Sequence, residues 1–403
     1  MDAELRTLER AARGGGARET LAWARGLERA GRQDDAVVAL VEVRDDPAVR
    51  RHLEALPAWS HVEADAGRTN FVAARPVARD PQVVWKTDVL PGHGAQLLAS
   101  PLAVAWPGGD HVVALDPRTG ESHRVECRGG PGRLVELRLA RLVVEARDDL
   151  REVALDLLSG ASHAAGRVSG LARVRDRDLV VRGFEGLVSG SWIAVDEKTR
   201  RRQWRYPRKG SLDRELRDGI DLCVGPTRVV LWGAGPFVLL ERETGREVAR
   251  GHGDSIRLDG AGLAAVEKRW MFAWDVNGRE LWAREFRDRP TVTALAPGFV
   301  VVLVGKKTFA LDRRTGETIG QVGESLKTLA VVSDVVYLTS FSGRHKKRLC
   351  ARRPDGEEVW SMEIADHVEA LAALDGRLFV AVTTTRPWAT SILCLAEPAW
   401  TPT

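Results

Sequence analysis

A short phrase returns along this chain about every forty residues: a small residue, an apolar residue, a carboxylate, two variable residues, Thr or Ser, then Gly. Ala114-Leu115-Asp116-Pro117-Arg118-Thr119-Gly120 and Ala310-Leu311-Asp312-Arg313-Arg314-Thr315-Gly316 carry it in full. Between them stand Ala154-Leu155-Asp156 with Ser159-Gly160, Ala194-Val195-Asp196 with Thr199, Leu239-Leu240-Glu241 with Thr244-Gly245, and Ala273-Trp274-Asp275 with Asn277-Gly278. Cys350-Ala351-Arg352 with Asp355-Gly356 is a seventh copy, and Cys394-Leu395-Ala396 starts an eighth. A unit repeating at this period must stack on its neighbours to bury its apolar faces, so the chain is confined to repeat architectures.

The chemistry of each copy is that of a β-hairpin. Val112-Val113-Ala114-Leu115 and Phe309-Ala310-Leu311 suit strands buried on both faces, and each is cut off by a turn. Gly supplies the positive φ that tight turns need, while Asp and Thr side chains bond nearby backbone amides. Trp204, Trp282 and Trp360 each stand four residues past the turn position, so a large ring recurs in register and is expected to pack between units. Further apolar runs precede each triplet, among them Leu142-Val143-Val144 and Val300-Val301-Val302-Leu303. Three or four strands per copy make a propeller blade. The eighth copy lacks room for an outer strand, and Val83-Val84-Trp85-Lys86-Thr87-Asp88, near the front, has the character of the missing one. Pairing the two leaves no open edge. The expected fold is an all-β, eight-bladed β-propeller preceded by a small α-helical segment.

The pattern apolar-Ala-Leu-Asp-x-x-Thr-Gly-x-x-x-Trp resembles the pyrroloquinoline-quinone-like propeller repeat. That family includes quinoprotein alcohol dehydrogenases and a non-enzymatic outer-membrane assembly lipoprotein, so the resemblance implies the fold and leaves function to the site. The sequence stands closer to the scaffold members. The dehydrogenases carry two adjacent cysteines beside their quinone, and Cys127, Cys223, Cys350 and Cys394 are never adjacent.

Three segments are expected: an α-helical, tetratricopeptide-like pair over 1–56, an irregular connector over 57–82, and the propeller over 83–403. Leu5, Leu8, Ala11, Leu21, Ala24 and Leu27 recur at helical spacing in the first, and one helix pair must dock on something to cover both faces. With 44% hydrophobic and 29% charged residues the chain can bury a large core. From Met1 onward there is no basic start followed by an apolar stretch, and nowhere a run of about eighteen apolar residues. The expectation is a cytoplasmic protein with no membrane span. Four dispersed cysteines do not read as a disulfide framework, and Cys350 and Cys394 fill a slot that holds Ala elsewhere.

No catalytic, metal or cofactor constellation emerges. The nine histidines form no His-x-x-x-His pair. Gly14-Gly15-Gly16 lacks the Lys-Ser/Thr of a phosphate loop, and Ser189-Gly190-Ser191 lacks a nucleophile elbow. Charge is more informative. Only 9 of the 60 basic residues are Lys, yet Lys268, Lys306, Lys307, Lys346 and Lys347 fall just before three consecutive triplets. The expected site is therefore a basic sector on blades five to seven, in the hairpins joining second to third strands: Lys268, Arg269, Lys306, Lys307, Arg344, His345, Lys346, Lys347 and Arg348. Asp110 and Asp148-Asp149 occupy the matching loops of copies one and two. A net charge of +4, interspersed acids and no exposed aromatics beside the Lys loops disfavour nucleic acid. A protein partner with an acidic surface fits better. Two functions follow, a non-catalytic scaffold and a quinone-dependent or other redox enzyme with its cofactor in the central channel.

Overall fold

The computed structural model describes residues 2–29, 33–41, 43–44, 46–56, 71–89, 96–146, 151–167, 173–176, 179–184, 191–196, 199, 201–207, 221–233, 235–253, 255–324, 329–342, 346–364, 367–385 and 388–398. Eight antiparallel sheets follow one another along the chain. Blades 1 to 6 span 98–126, 131–167, 173–206, 221–252, 255–285 and 290–324, each of four consecutive strands. Blade 7 (329–364) gains a fifth, Phe71–Val72, parallel to Leu329–Val332. Blade 8 takes three strands from 367–396 and its outer one from Gln82–Val89. That outer strand runs antiparallel to Trp388–Ala396, with Val83 opposite Leu395 and Asp88 opposite Ser391. Each first strand touches the first strands on either side, and blade 1 touches blade 8, so the ring is closed.

Asp side chains fix the turns between third and fourth strands. Asp312 Oδ1 accepts from Arg314 N (2.8 Å) and Thr315 N (2.9 Å), while Gly316 N donates to Asp312 O (2.9 Å). Asp116, Asp156 and Asp275 hold their own turns through two backbone amides each. The repeated Trp then locks neighbouring blades together. Trp204 Nε1 donates to Arg242 O (2.6 Å) in the next turn, Trp282 Nε1 to Arg313 O (2.9 Å), and each ring lies over the following turn glycine, Gly245 or Gly316. A Cβ on either glycine would stand 2.7 Å from the indole, so only glycine admits the ring.

The core lies between blades, because every blade packs on both faces. Val112, Val113, Ala114 and Leu115 are all buried for this reason. One cluster joins Val266 and Met271 of blade 5 to Val292 and Val302 of blade 6, and another joins Val301 of blade 6 to Val336 and Cys350 of blade 7.

The front of the chain differs from its sequence reading. Four helices form instead of one pair: α1 (Asp2–Gly14), α2 (Ala17–Arg29), α3 (Gln33–Val41) and α4 (Pro47–Glu54). Asp46 caps α4 by accepting from Ala48 N (2.8 Å) and Val49 N (3.2 Å), with Pro47 at its first position. Leu27, Leu40, Val49 and Leu53 of these helices belong to the same apolar cluster as blades 1, 2, 7 and 8. The connector is structured where described. Val77 N donates to Tyr337 Oη (2.7 Å), Gly376 N to Arg75 O (2.8 Å), and Trp360 Nε1 to Val77 O (2.7 Å). Residue 77 thus supplies the carbonyl that a turn supplies elsewhere.

Candidate functional site

Strand direction alternates within each blade, so loops joining second to third strands share one face with the connections between blades. On blade 5 this loop is Lys268-Arg269, between Gly262–Glu267 and Trp270–Asp275. Lys268 takes a left-handed φ of 54°, and Arg269 Nη2 donates to Glu285 Oε1 at 2.6 Å. On blade 6 the loop is Gly305-Lys306, and Lys307 opens the third strand opposite Glu324.

The connection from blade 5 to blade 6 bridges these two tips. Phe286 N donates to Arg269 O at 2.9 Å, and Asp288 Oδ2 lies 3.0 Å from where a Cβ on Gly305 would be. Arg287, Asp288 and Arg289 between them are exposed. Lys268, Arg269, Arg287, Arg289, Lys306 and Lys307 therefore form one ridge, in which Lys268, Lys306 and Lys307 are exposed and make no ion pair among the described residues. Sequence reasoning missed Arg287 and Arg289, which lie outside the hairpin loops that the repeat singles out.

Blade 7 contributes less than its sequence promises. Arg344 and His345 lie outside the described residues, and so does the side chain of Lys346. Lys347 and Arg348 are part of the third strand, Lys346–Arg352, and not of the loop. Arg348 bonds Ser361 Oγ and lies 3.8 Å from Glu358, whose carboxylate also takes Arg352 at 3.0 Å. Hydrogen bonding from Ser361, then from Arg352, holds the Glu358 carboxyl below the ordinary range. On blade 1 the matching loop is acidic. Asp110 is bonded to the buried ring of His111 (Nδ1 to Oδ1, 2.6 Å), and this bond lowers its pKa. Asp148 and Asp149 fall outside the described residues.

One aromatic corrects the expectation that none accompanies the Lys loops. Trp270 follows Arg269 directly and is 42% exposed. Its ring stacks on Phe272 (6.4 Å between centroids, 26°), and Trp274, on the same face of the strand, meets Phe237 of blade 4 edge-on at 5.5 Å.

The donor inventory for a metal or quinone is sparse. All four cysteines are buried and in no disulfide, Cys223, Cys350 and Cys394 in the strands of blades 4, 7 and 8 and Cys127 just past the last strand of blade 1. Burial pushes the Cys127 thiol up. No three His, Cys, Asp or Glu residues gather into a metal-holding group among the described residues. No helix among them is long and apolar enough to cross a membrane.

The closed ring of eight blades, its Asp-anchored turns and its indole docking define a PQQ-like β-propeller. A family model described as outer membrane protein assembly factor BamB matches residues 189–394, just over half of the chain. The chain belongs to that family. Among solved structures it is similar to quinohemoprotein alcohol dehydrogenase from Comamonas testosteroni, with 15% identity, a TM-score of 0.60, and 92% of this chain and 85% of that one covered. It is also similar to BamB from Moraxella catarrhalis, again at 15% identity, with a TM-score of 0.51 and coverage of 80% and 100%. At this identity both likenesses speak for the fold alone. No curated protein matches the chain.

Proposed function

We propose that this protein is a non-catalytic propeller that recruits a protein partner with an acidic surface through the ridge on blades 5 and 6. The observation that carries this reading is the bridge at Phe286–Arg289, which joins two lysine tips into one continuous surface instead of two isolated loops. Its unpaired lysines steer an acidic partner in a way that salt weakens. The acidic Asp110 on the same face gives the ring a direction, which favours one docking orientation over others. The family matched is described as an assembly factor, which supports a scaffold.

The enzyme reading has less support. A quinone centre of the dehydrogenase kind calls for adjacent cysteines, and here the four cysteines belong to four different blades. The donor set does not fit that cofactor.

Pull-down with the intact chain tests the proposal. The partner is retained by the natural protein and lost by the triple variant Lys268→Glu/Lys306→Glu/Lys307→Glu. Retention by the variant would remove the reading, as would quinone-dependent dehydrogenase turnover after incubation with the quinone and Ca²⁺.

A further inference from the structure

Trp270 is a large ring left nearly half in water, on the flank of the basic ridge. A tryptophan side chain gains by burial, and exposed Trp beside a polar rim is the usual composition of a binding hot spot. Two features make this one ready to bind. Its stack on Phe272 restrains the ring, so little freedom is lost on contact. The loop before it is also fixed, by the Arg269–Glu285 pair and by the Phe286 N to Arg269 O bond.

We infer that Trp270 is the apolar anchor of this surface, and that the occupant is an extended acidic segment of a partner protein with an aromatic or large aliphatic side chain among its carboxylates. The inference rests on the protein-partner reading above and specifies its chemistry. Glu285 is taken up by Arg269, and Lys268, two residues before the ring, is exposed and makes no ion pair among the described residues. Trp270 lies on the face of its strand that turns to blade 4, so Lys306 and Lys307 continue the ridge across the tip of blade 5 from it. An extended segment that seats a ring or branched chain on Trp270 and crosses the tip of blade 5 sets its carboxylates against Lys268 and then against Lys306 and Lys307. Cations beside an aromatic also suit single-stranded nucleic acid. Here Glu267, Asp288 and Glu324 are interleaved with the cations, a spacing that separated carboxylates on a peptide can straddle and that a charge on every nucleotide cannot.

Fluorescence anisotropy with the full chain tests this. The probes are a fluorescein-labelled Asp/Glu-rich peptide with a central Phe, the same peptide with Ala there, and a single-stranded oligonucleotide. The natural protein binds the Phe peptide about tenfold more tightly than the Ala peptide. Trp270→Ala removes that preference, Trp270→Phe keeps most of it, and Lys306→Glu/Lys307→Glu weakens both peptides alike. Circular dichroism and melting of each variant establish that the ring of blades is intact. Equal affinity of the natural protein for the two peptides overturns the inference, as does an unchanged preference in Trp270→Ala or tighter binding of the oligonucleotide. If the lysine variant loses the partner while Trp270→Ala keeps it, the anchor fails and the partner reading stands. If the lysine variant keeps the partner, the partner reading itself fails.

Discussion

Trp85 and Gly120 close the ring. The indole comes from the outer strand of blade 8 and lies over the turn of blade 1, where its Nε1 donates to Pro117 O at 3.3 Å. Gly120 has a φ of 72°, and a Cβ there would stand 2.6 Å from the ring. The two residues therefore need each other's shape. Trp85→Ala is expected to cost about 3 to 5 kcal/mol, as for other large-to-small core changes. Gly120→Ala costs about 1 to 2 kcal/mol for the left-handed backbone alone, plus displacement of the indole. The double variant should lose less than the two singles together, because without the indole the closest clashes of the added methyl are gone. Urea denaturation of the four proteins reads the cycle, and strict additivity would show that the contact carries no coupling.

Arg313 performs a second inter-blade task from within the turn of blade 6. Its guanidinium makes a two-pronged bond to Asp259, in the first loop of blade 5, and also reaches Ala296 O at 3.2 Å. Arg313 is 5% exposed, so removing either partner strands a poorly hydrated charge. Arg313→Ala is expected to cost about 3 to 5 kcal/mol. A double-mutant cycle with Asp259→Ala should give a coupling of about 0.5 to 3 kcal/mol. A coupling near zero in urea unfolding would show that the pair does not hold the two blades.

The blade count was legible because the turn residues are constrained by backbone geometry and cannot drift far. The ring contacts were legible only where Trp makes them. Between blades 1 and 2 the turn carbonyl of Leu157 is bonded by His123 Nε2 (2.6 Å), and between blades 4 and 5 that of Val276 by Arg228 Nε (2.7 Å). His123 stands opposite Ala114 as Trp282 stands opposite Ala273, so the repeat does mark its position but with another residue type, whereas Arg228 comes from the second strand of its blade and no spacing rule could have found it. Val77 is hidden for a related reason. It replaces a turn of blade 8 from a segment some three hundred residues earlier, and it lies outside any strand, where no period can reveal it. Helix α4 did carry a signal, Asp46-Pro47, which is the cap and first-turn chemistry of a helix start. The sequence gives no sign of an exposed aromatic beside the Lys loops, yet Trp270 is one. Its exposure depends on where the flanking hairpin ends, which only the assembled blades determine.

Acid should loosen the turns before it unfolds the blades. Amides of Thr315 and Arg314 lower the Asp312 carboxyl. Burial would raise Asp116, but its bonds from Arg118 win, and at Asp156 burial is likewise outweighed by the amides of Ser159 and Leu158. A depressed carboxyl contributes stability that is complete above its unfolded pKa, about 3.9, and is lost as pH falls through the lower folded value. Unfolding free energy should therefore be flat at mildly acidic pH and decline below about pH 4. Asp312→Asn should be less stable at neutral pH and show a shallower decline. Parallel acid limbs for the two proteins in urea titrations at a series of pH values would exclude this carboxylate as a source.

Base acts through the only two tyrosines in the chain, Tyr206 and Tyr337. Burial is the largest cause raising both phenols. At Tyr206 a 2.6 Å bond to Glu247 of the next blade adds to it, and Tyr337 is enclosed against Val77. Each raised phenol contributes stability that is fully present below its unfolded pKa, about 10, and is lost as pH rises toward the folded value. The phenolate absorbance of the folded protein should therefore stay flat up to about pH 11, whereas the guanidinium-unfolded chain titrates near pH 10. Tyr206→Phe should remove half of the signal and lower stability by about 0.5 to 1.5 kcal/mol, since the exposed Glu247 carboxylate loses one donor and keeps Arg250. A folded protein that titrates near pH 10 would mean that the phenols are solvated, and with them the seams between blades 3 and 4 and between blade 7 and the connector.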